Sequence, residues 1–172
     1  MIKSLLVLTC SLTLPLSAAT AQQPTAAQQA TVHLEPQQLH GSRPIEKQTE
    51  AAVIRDYLAA WESMQSALNL NQSVLLGTNF VGPARDKLTS TIGDQTSLGI
   101  HVRYQEHSHD LKFVFYSPEG SSIQLIDTVE YDEQVLDHDN VLATKPLRQR
   151  YLVVLTPSEV RWRVRLFQAD AQ

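Results

Sequence analysis

The hydrophobic period of this chain changes once, at Gly99, from a helical repeat to a two-residue repeat, and that switch restricts the fold more than any motif does. Before it, Ile54, Leu58, Trp61, Met64 or Gln65, and Leu68 recur at spacings of four, three, three and four, while Tyr57, Ala60 and Ala67 widen the stripe. This predicts an amphipathic helix over about residues 48–68, stopped by the polar run at residues 69–72. A second helix is predicted after Gly82, with Pro83 at its first position, Ala84, Leu88 and Ile92 at intervals of four, and a fraying end at Gly93 and Gly99. Between them Val74, Leu75, Leu76, Phe80 and Val81 read as a short helical turn packed inward.

After Gly99 apolar and polar residues alternate. Ile100, Val102 and Tyr104 form one such set, and Leu111, Phe113 and Phe115 another. Ser117-Pro118-Glu119-Gly120 is a turn, followed by Ile123, Leu125, Asp127, Val129 and Tyr131 on one face. Residues 137–140 form another polar turn. Residues 151–155 and 160–166 read as a closing hairpin across Thr156-Pro157-Ser158-Glu159. In its last strand Val160, Trp162, Val164 and Leu166 face one way and Arg161, Arg163 and Arg165 the other. Helices followed by strands with short connections specify an α+β fold, N-terminal helices packed on a curved, mainly antiparallel sheet. Such a sheet should curl into a half-open cone around Trp61, Phe113, Phe115 and Trp162.

The first 46 residues carry a different composition. Residues 1–21 hold one cation, Lys3, an apolar run over residues 5–16, and the small-residue sequence Ala19-Thr20-Ala21, the anatomy of a cleaved secretory signal peptide. The run is interrupted by Ser and Pro and is shorter than the roughly 20 residues of a spanning helix. The expected product is exported, periplasmic or secreted, with no membrane span after cleavage. An alternative, acylation at Cys10, would make it a lipoprotein. Residues 22–46, rich in Gln, Ala and Pro, read as a flexible linker whose His33 and His40 are solvated. The domain proper is expected over residues 47–170.

Cleavage reduces 172 residues to 151 and removes the only cysteine, so the mature chain would have neither a disulfide nor a thiolate nucleophile nor a Cys-ligated metal. The intact chain has 14 Lys and Arg against 18 Asp and Glu, a formal charge of -4, which offers no electrostatic footprint for nucleic acid.

The long helix AAVIRDYLAAW, the short apolar helices and the closing strands RQRYLVVL and VRWRVRLF together resemble the nuclear-transport-factor-2-like superfamily, over about residues 48–168. The stretch GIHVRYQEHSHDLKFVFYSPEGSSIQLIDTVEYDEQVL is also similar to the related domain of plastid-division and cyanobacterial division proteins. The resemblance implies a cystatin-like α+β cone with a concave pocket, often dimeric through its sheet. Because the superfamily spans isomerases, dehydratases and members used for binding or assembly, it implies no particular chemistry.

Asp127 is the leading candidate for chemistry. A strict strand period points its carboxylate into an apolar face, where burial would raise its pKa and make it a general base or a ligand anchor, with Tyr57 as the accompanying donor. A bulge re-aiming it outward is the alternative. Trp61, Phe113, Phe115, Asp127 and Trp162 are the expected pocket lining. His107 and His109 in Glu106-His107-Ser108-His109-Asp110 would share a strand face and could begin a metal site, against the reading of a solvated hairpin tip. The residues Asp137, Asp139 and Asn140 lack the remaining ligands of a calcium loop. The arginine row reads as a solvated outer face with Glu130, Asp132 and Glu133 as cross-strand partners. The functional expectation is an exported, non-catalytic domain, needing no cofactor, that binds a small apolar ligand or an envelope protein. A small lyase, isomerase or hydrolase with Asp127 as base is one alternative; a structural part of an envelope assembly is another.

Overall fold

The computed structural model describes residues 30–37, 39 and 43–170. The expected signal peptide, residues 1–21, lies outside the described residues, as do His40 and the first eight residues of the expected linker. Strand β1 (Thr31–Leu34) is followed by helix α1 (Lys47–Leu70), a 3-10 turn (Ser73–Thr78) and helix α2 (Gly82–Leu98). Four strands then complete the chain: β2 (His101–Tyr116), β3 (Ile123–Asp137), β4 (Asn140–Pro157) and β5 (Trp162–Ala169). They form one sheet in the order β1-β2-β3-β4-β5, antiparallel throughout except for the β1–β2 pair. This is the α+β, helix-on-curved-sheet arrangement that the switch of period predicts.

The α1 stripe is buried against the sheet through Val53, Tyr57, Ala60, Trp61, Met64, Ala67 and Leu68. The helix ends because Asn71 adopts φ 52°, a left-handed conformation its short polar side chain tolerates, and Gln72 N–H then caps the Ala67 carbonyl at 2.9 Å. The second helix passes through Gly93 without fraying and stops at Gly99, φ 69°. Of the apolar residues expected to pack inward between the helices, Leu76 and Phe80 are buried and Val74 is exposed. Phe80 bridges to Val164 of β5 and packs edge-on against Phe167, 6.4 Å between centroids.

Three departures from simple alternation reposition side chains. Along β2 the register slips between Glu106 and Ser108 and again between Phe113 and Phe115, leaving His107 and Val114 without opposite residues. Each slip inverts which residues face inward. His109, Leu111, Phe113 and Tyr116 are consequently buried, whereas Phe115, expected in the core, is half-buried and outside the core cluster. Residues 106–110 are continuous strand, not the hairpin tip their polarity suggested. In β5 the slip at Arg165, between the Leu155–Val164 and Val154–Leu166 pairs, turns Phe167 toward the interior.

The expected linker contains an element. Thr31–Leu34 pairs in parallel with residues 108–111, a run of four too short to show a period between Gln- and Pro-rich flanks. The β4 strand is also far longer than the expected residues 151–155. Residues 140–146 are exposed because this half of the β3–β4 hairpin projects beyond the core, so no alternation marks it. Its unpaired edge carries Lys145, Pro146 and an unpaired residue at Leu142, devices that discourage strand addition.

The arginine row is solvated only at Arg165, while Arg161 and Arg163 are half-buried. Arg163 Nη2 donates to the Gly77 and Phe80 carbonyls at 2.6 and 3.2 Å, and Arg161 reaches Asn79 Oδ1 at 3.3 Å, so both tie β5 to the turn between the helices. Glu130 pairs instead with Arg148, at 3.3 Å.

Candidate functional site

Helix α1 sets Tyr57 and Trp61 one turn apart on its inner face, and β3 keeps a strict period, so Asp127 shares the buried face with Ile123, Leu125, Val129 and Tyr131. The slip at His107 turns His109 toward that face; opposite Val129, it sits diagonally across from Asp127. The result is a dry polar chain. Tyr57 Oη donates to Asp127 Oδ2 at 2.7 Å, and His109 Nδ1 meets the same oxygen at 2.8 Å. On the far side of the imidazole, Nε2 lies 3.6 Å from Glu106 Oε2, too long for a hydrogen bond. Tyr57, His109 and Asp127 are each 0% exposed.

These surroundings fix the protonation states. Burial lowers the His109 pKa, but its hydrogen bond to Asp127 and the charges of Asp127 and nearby Glu106 outweigh burial and hold it up at about 9. Burial pushes the Asp127 carboxyl up, with the hydrogen bonds from His109 and Tyr57 opposing. Burial, together with the Asp127 charge, also raises the Tyr57 phenol well above its ordinary value. With its pKa held at about 9, His109 carries its proton at neutral pH and faces Asp127 Oδ2.

Trp61, 1% exposed, lies over this chain. Its ring centroid is 5.2 Å from that of His109, and on its other sides 5.5 to 6.5 Å from Phe167, Tyr151, Tyr131 and Tyr104. Beyond these rings, at the open end of the cone, is a cavity of about 190 Å³ lined by Met64, Leu68, Lys87, Leu88, Thr91, Tyr104, Tyr151, Phe167 and Ala169. A second depression, about 270 Å³, lies between α1 and the β1 edge, with Leu58, Glu62, Glu106, His109, Ala30 and Val32 around it. His109 is its floor, yet no part of the ring reaches water.

The expected lining residues are therefore distributed differently. Asp127 and Tyr57 are hydrogen-bonded to each other, with the carboxylate inward rather than re-aimed by a bulge. Neither opens on the cone-mouth cavity. Trp61 plugs the interior and Phe113 is fully buried core. Phe115 lies on the other face of β2, and Trp162 packs against Tyr116 at 6.4 Å between centroids, away from the aromatic cluster. His107 and His109 do not share a face: the slip between them leaves His107 exposed beside Asp132, 3.2 Å away. Among the described residues no group of three or more His, Cys, Asp and Glu side chains is placed to hold a metal ion.

Sequence reasoning missed the residues that do line the cone mouth. Met64, Leu68 and Leu88 lay on the predicted helical stripes and Tyr104 on an alternating strand, so their inward direction was readable, but that they meet at an opening was not. Phe167 was hidden by the slip at Arg165.

Helices capping the concave side of a strongly bent antiparallel sheet, with a cavity at the open end, give this chain the α+β cone fold. Among solved structures, the intermembrane space region of the chloroplast protein ARC6 is similar in fold, with a TM-score of 0.59 and 14% identity over 76% of this chain and 100% of that one. A provisionally named scytalone dehydratase from Novosphingobium aromaticivorans DSM 12444 gives 0.49 and 12%, over 73% of this chain and 89% of that one. Hexachlorocyclohexane dehydrochlorinase LinA-type3 from Novosphingobium barchaimii LL02 gives 0.46 and 10%, over 73% and 92%. No family model and no curated protein matches the chain.

Proposed function

We propose that this chain is an exported, non-catalytic binding domain whose ligand enters the apolar cavity at the open end of the cone. The observation that carries this reading is the division of the interior by Trp61. Tyr57, His109 and Asp127 are 0% exposed behind it and bonded to one another, while the cone-mouth cavity on its other side is walled mainly by apolar and aromatic side chains. A general acid or base must come within hydrogen-bonding reach of its substrate, and Asp127 has no such access. A melting-temperature screen against small apolar metabolites should find stabilising compounds, since a ligand at a hundredfold excess over its Kd adds about 2.7 kcal/mol. A screen with no shift would contradict the reading. Export belongs to the same proposal: N-terminal sequencing of the protein from a periplasmic or culture fraction should begin at Gln22, and a start at Met1 would count against it.

One observation favours acid–base chemistry as a second reading. His109 Nε2 and Asp127 Oδ1 are buried with no hydrogen-bond partner among the described residues, and His109 floors the depression beside Glu106. Turnover that Asp127→Asn abolishes while the fold persists would establish that reading and overturn the first.

A further inference from the structure

The cone-mouth cavity is chemically asymmetric in a way that selects its ligand. Its walls are Met64, Leu68, Leu88 and three aromatic rings, of which Tyr151 and Phe167 stack 4.5 Å apart at an interplanar angle of 14°. Lys87 is the only charged one among the described residues of the lining, with no acid beside it there. Among the described residues Lys87 has no carboxylate within 4.0 Å. Other polar groups at the cavity are committed: Thr91 Oγ1 donates to the Lys87 carbonyl at 3.1 Å, and the Tyr151 and Tyr131 hydroxyls bond each other at 3.0 Å. Glu133, outside the lining, acts on the Tyr104 hydroxyl.

Size narrows the class further. At about 190 Å³ the cavity is smaller than the roughly 300–1,000 Å³ typical of drug-sized ligands, so a steroid or a long acyl chain does not fit within it. We propose that the cavity binds a one-ring aromatic carboxylate, its ring between Leu68, Leu88 and Phe167 and its carboxylate at the Lys87 ammonium. The stem of Lys87, on an exposed helix position, reaches over the rim while its charge stays in water until a ligand arrives. This inference rests on the binding reading above and supplies its ligand class.

The test is calorimetric titration of the full chain with trans-cinnamate and with cinnamyl alcohol, its neutral counterpart. Cinnamate should bind about tenfold more tightly, the scale of one charge-assisted contact. Lys87→Gln, at an exposed position, should leave the melting curve unchanged and bring cinnamate affinity down to about that of the alcohol, removing the preference. The alcohol binding as tightly as cinnamate, or an undiminished preference in Lys87→Gln, would overturn the assignment. Binding of neither compound also overturns it, while the broader apolar screen decides separately whether the cavity binds anything.

Discussion

Trp61→Ala should cost about 3–5 kcal/mol of stability, the range for removing a buried Trp or Phe side chain, and lower Tm on the order of 10–20 °C. The ring touches elements from every part of the domain: His109 of β2, Tyr131 of β3, Tyr151 of β4 and Phe167 of β5, all with centroids within 6.2 Å. Its loss leaves a void at their meeting point, and the neighbours, held by strand pairing, cannot collapse into it. The substitution should also join the cone-mouth cavity to the polar chain. Chemical denaturation measures the first effect. Faster exchange of the His109 ring protons with solvent, followed by NMR, measures the second. A loss below 1 kcal/mol would show that Trp61 does not plug the interior.

Asp127→Ala should be of similar size, about 3–5 kcal/mol near neutral pH, because it strips His109 and Tyr57 of their shared acceptor and leaves a buried cation without its counter-charge. The same pair gives stability a pH dependence whose sign follows from His109. Its folded pKa, about 9, lies above the unfolded value of about 6.5, so the stability it contributes is fully present below pH 6.5 and is lost as pH rises through 9. Urea unfolding at pH 6.5 and 9.5 should differ by on the order of 2–3 kcal/mol in the parent chain, and Asp127→Asn should flatten that difference. Equal pH slopes in parent and variant would contradict the ion-pair assignment.

What could be read from the sequence follows where the chain keeps its period. Asp127 faces inward because β3 has no slip between Ile123 and Tyr131, so counting by two from Leu125 finds it. His109 could not be found that way: counting by two from Tyr104 puts Glu106 inward and His109 outward until the unpaired His107 reverses the sense. Phe115 was misplaced for the same reason, by the slip at Val114, and Phe167, just beyond the expected last strand, is turned inward by the slip at Arg165. Periodicity reports burial, so it is silent where nothing is buried. The projecting half of β4 and the four-residue β1 were invisible because their side chains face water. Arg161 and Arg163 alternate correctly but find partners 82 to 86 residues away in the turn between the helices, a relation that strand spacing does not carry.

The central claim is that the polar chain holds the fold while the cone mouth binds. The most direct measurement is ligand affinity, by titration of a compound from the stabilising screen, in Asp127→Asn and in Thr91→Trp, which fills the mouth from an exposed helix position. The account predicts that Thr91→Trp abolishes binding and that Asp127→Asn, though less stable, binds within about threefold of the parent, since additivity holds for sites without shared partners. Loss of binding in Asp127→Asn with full binding in Thr91→Trp would contradict it.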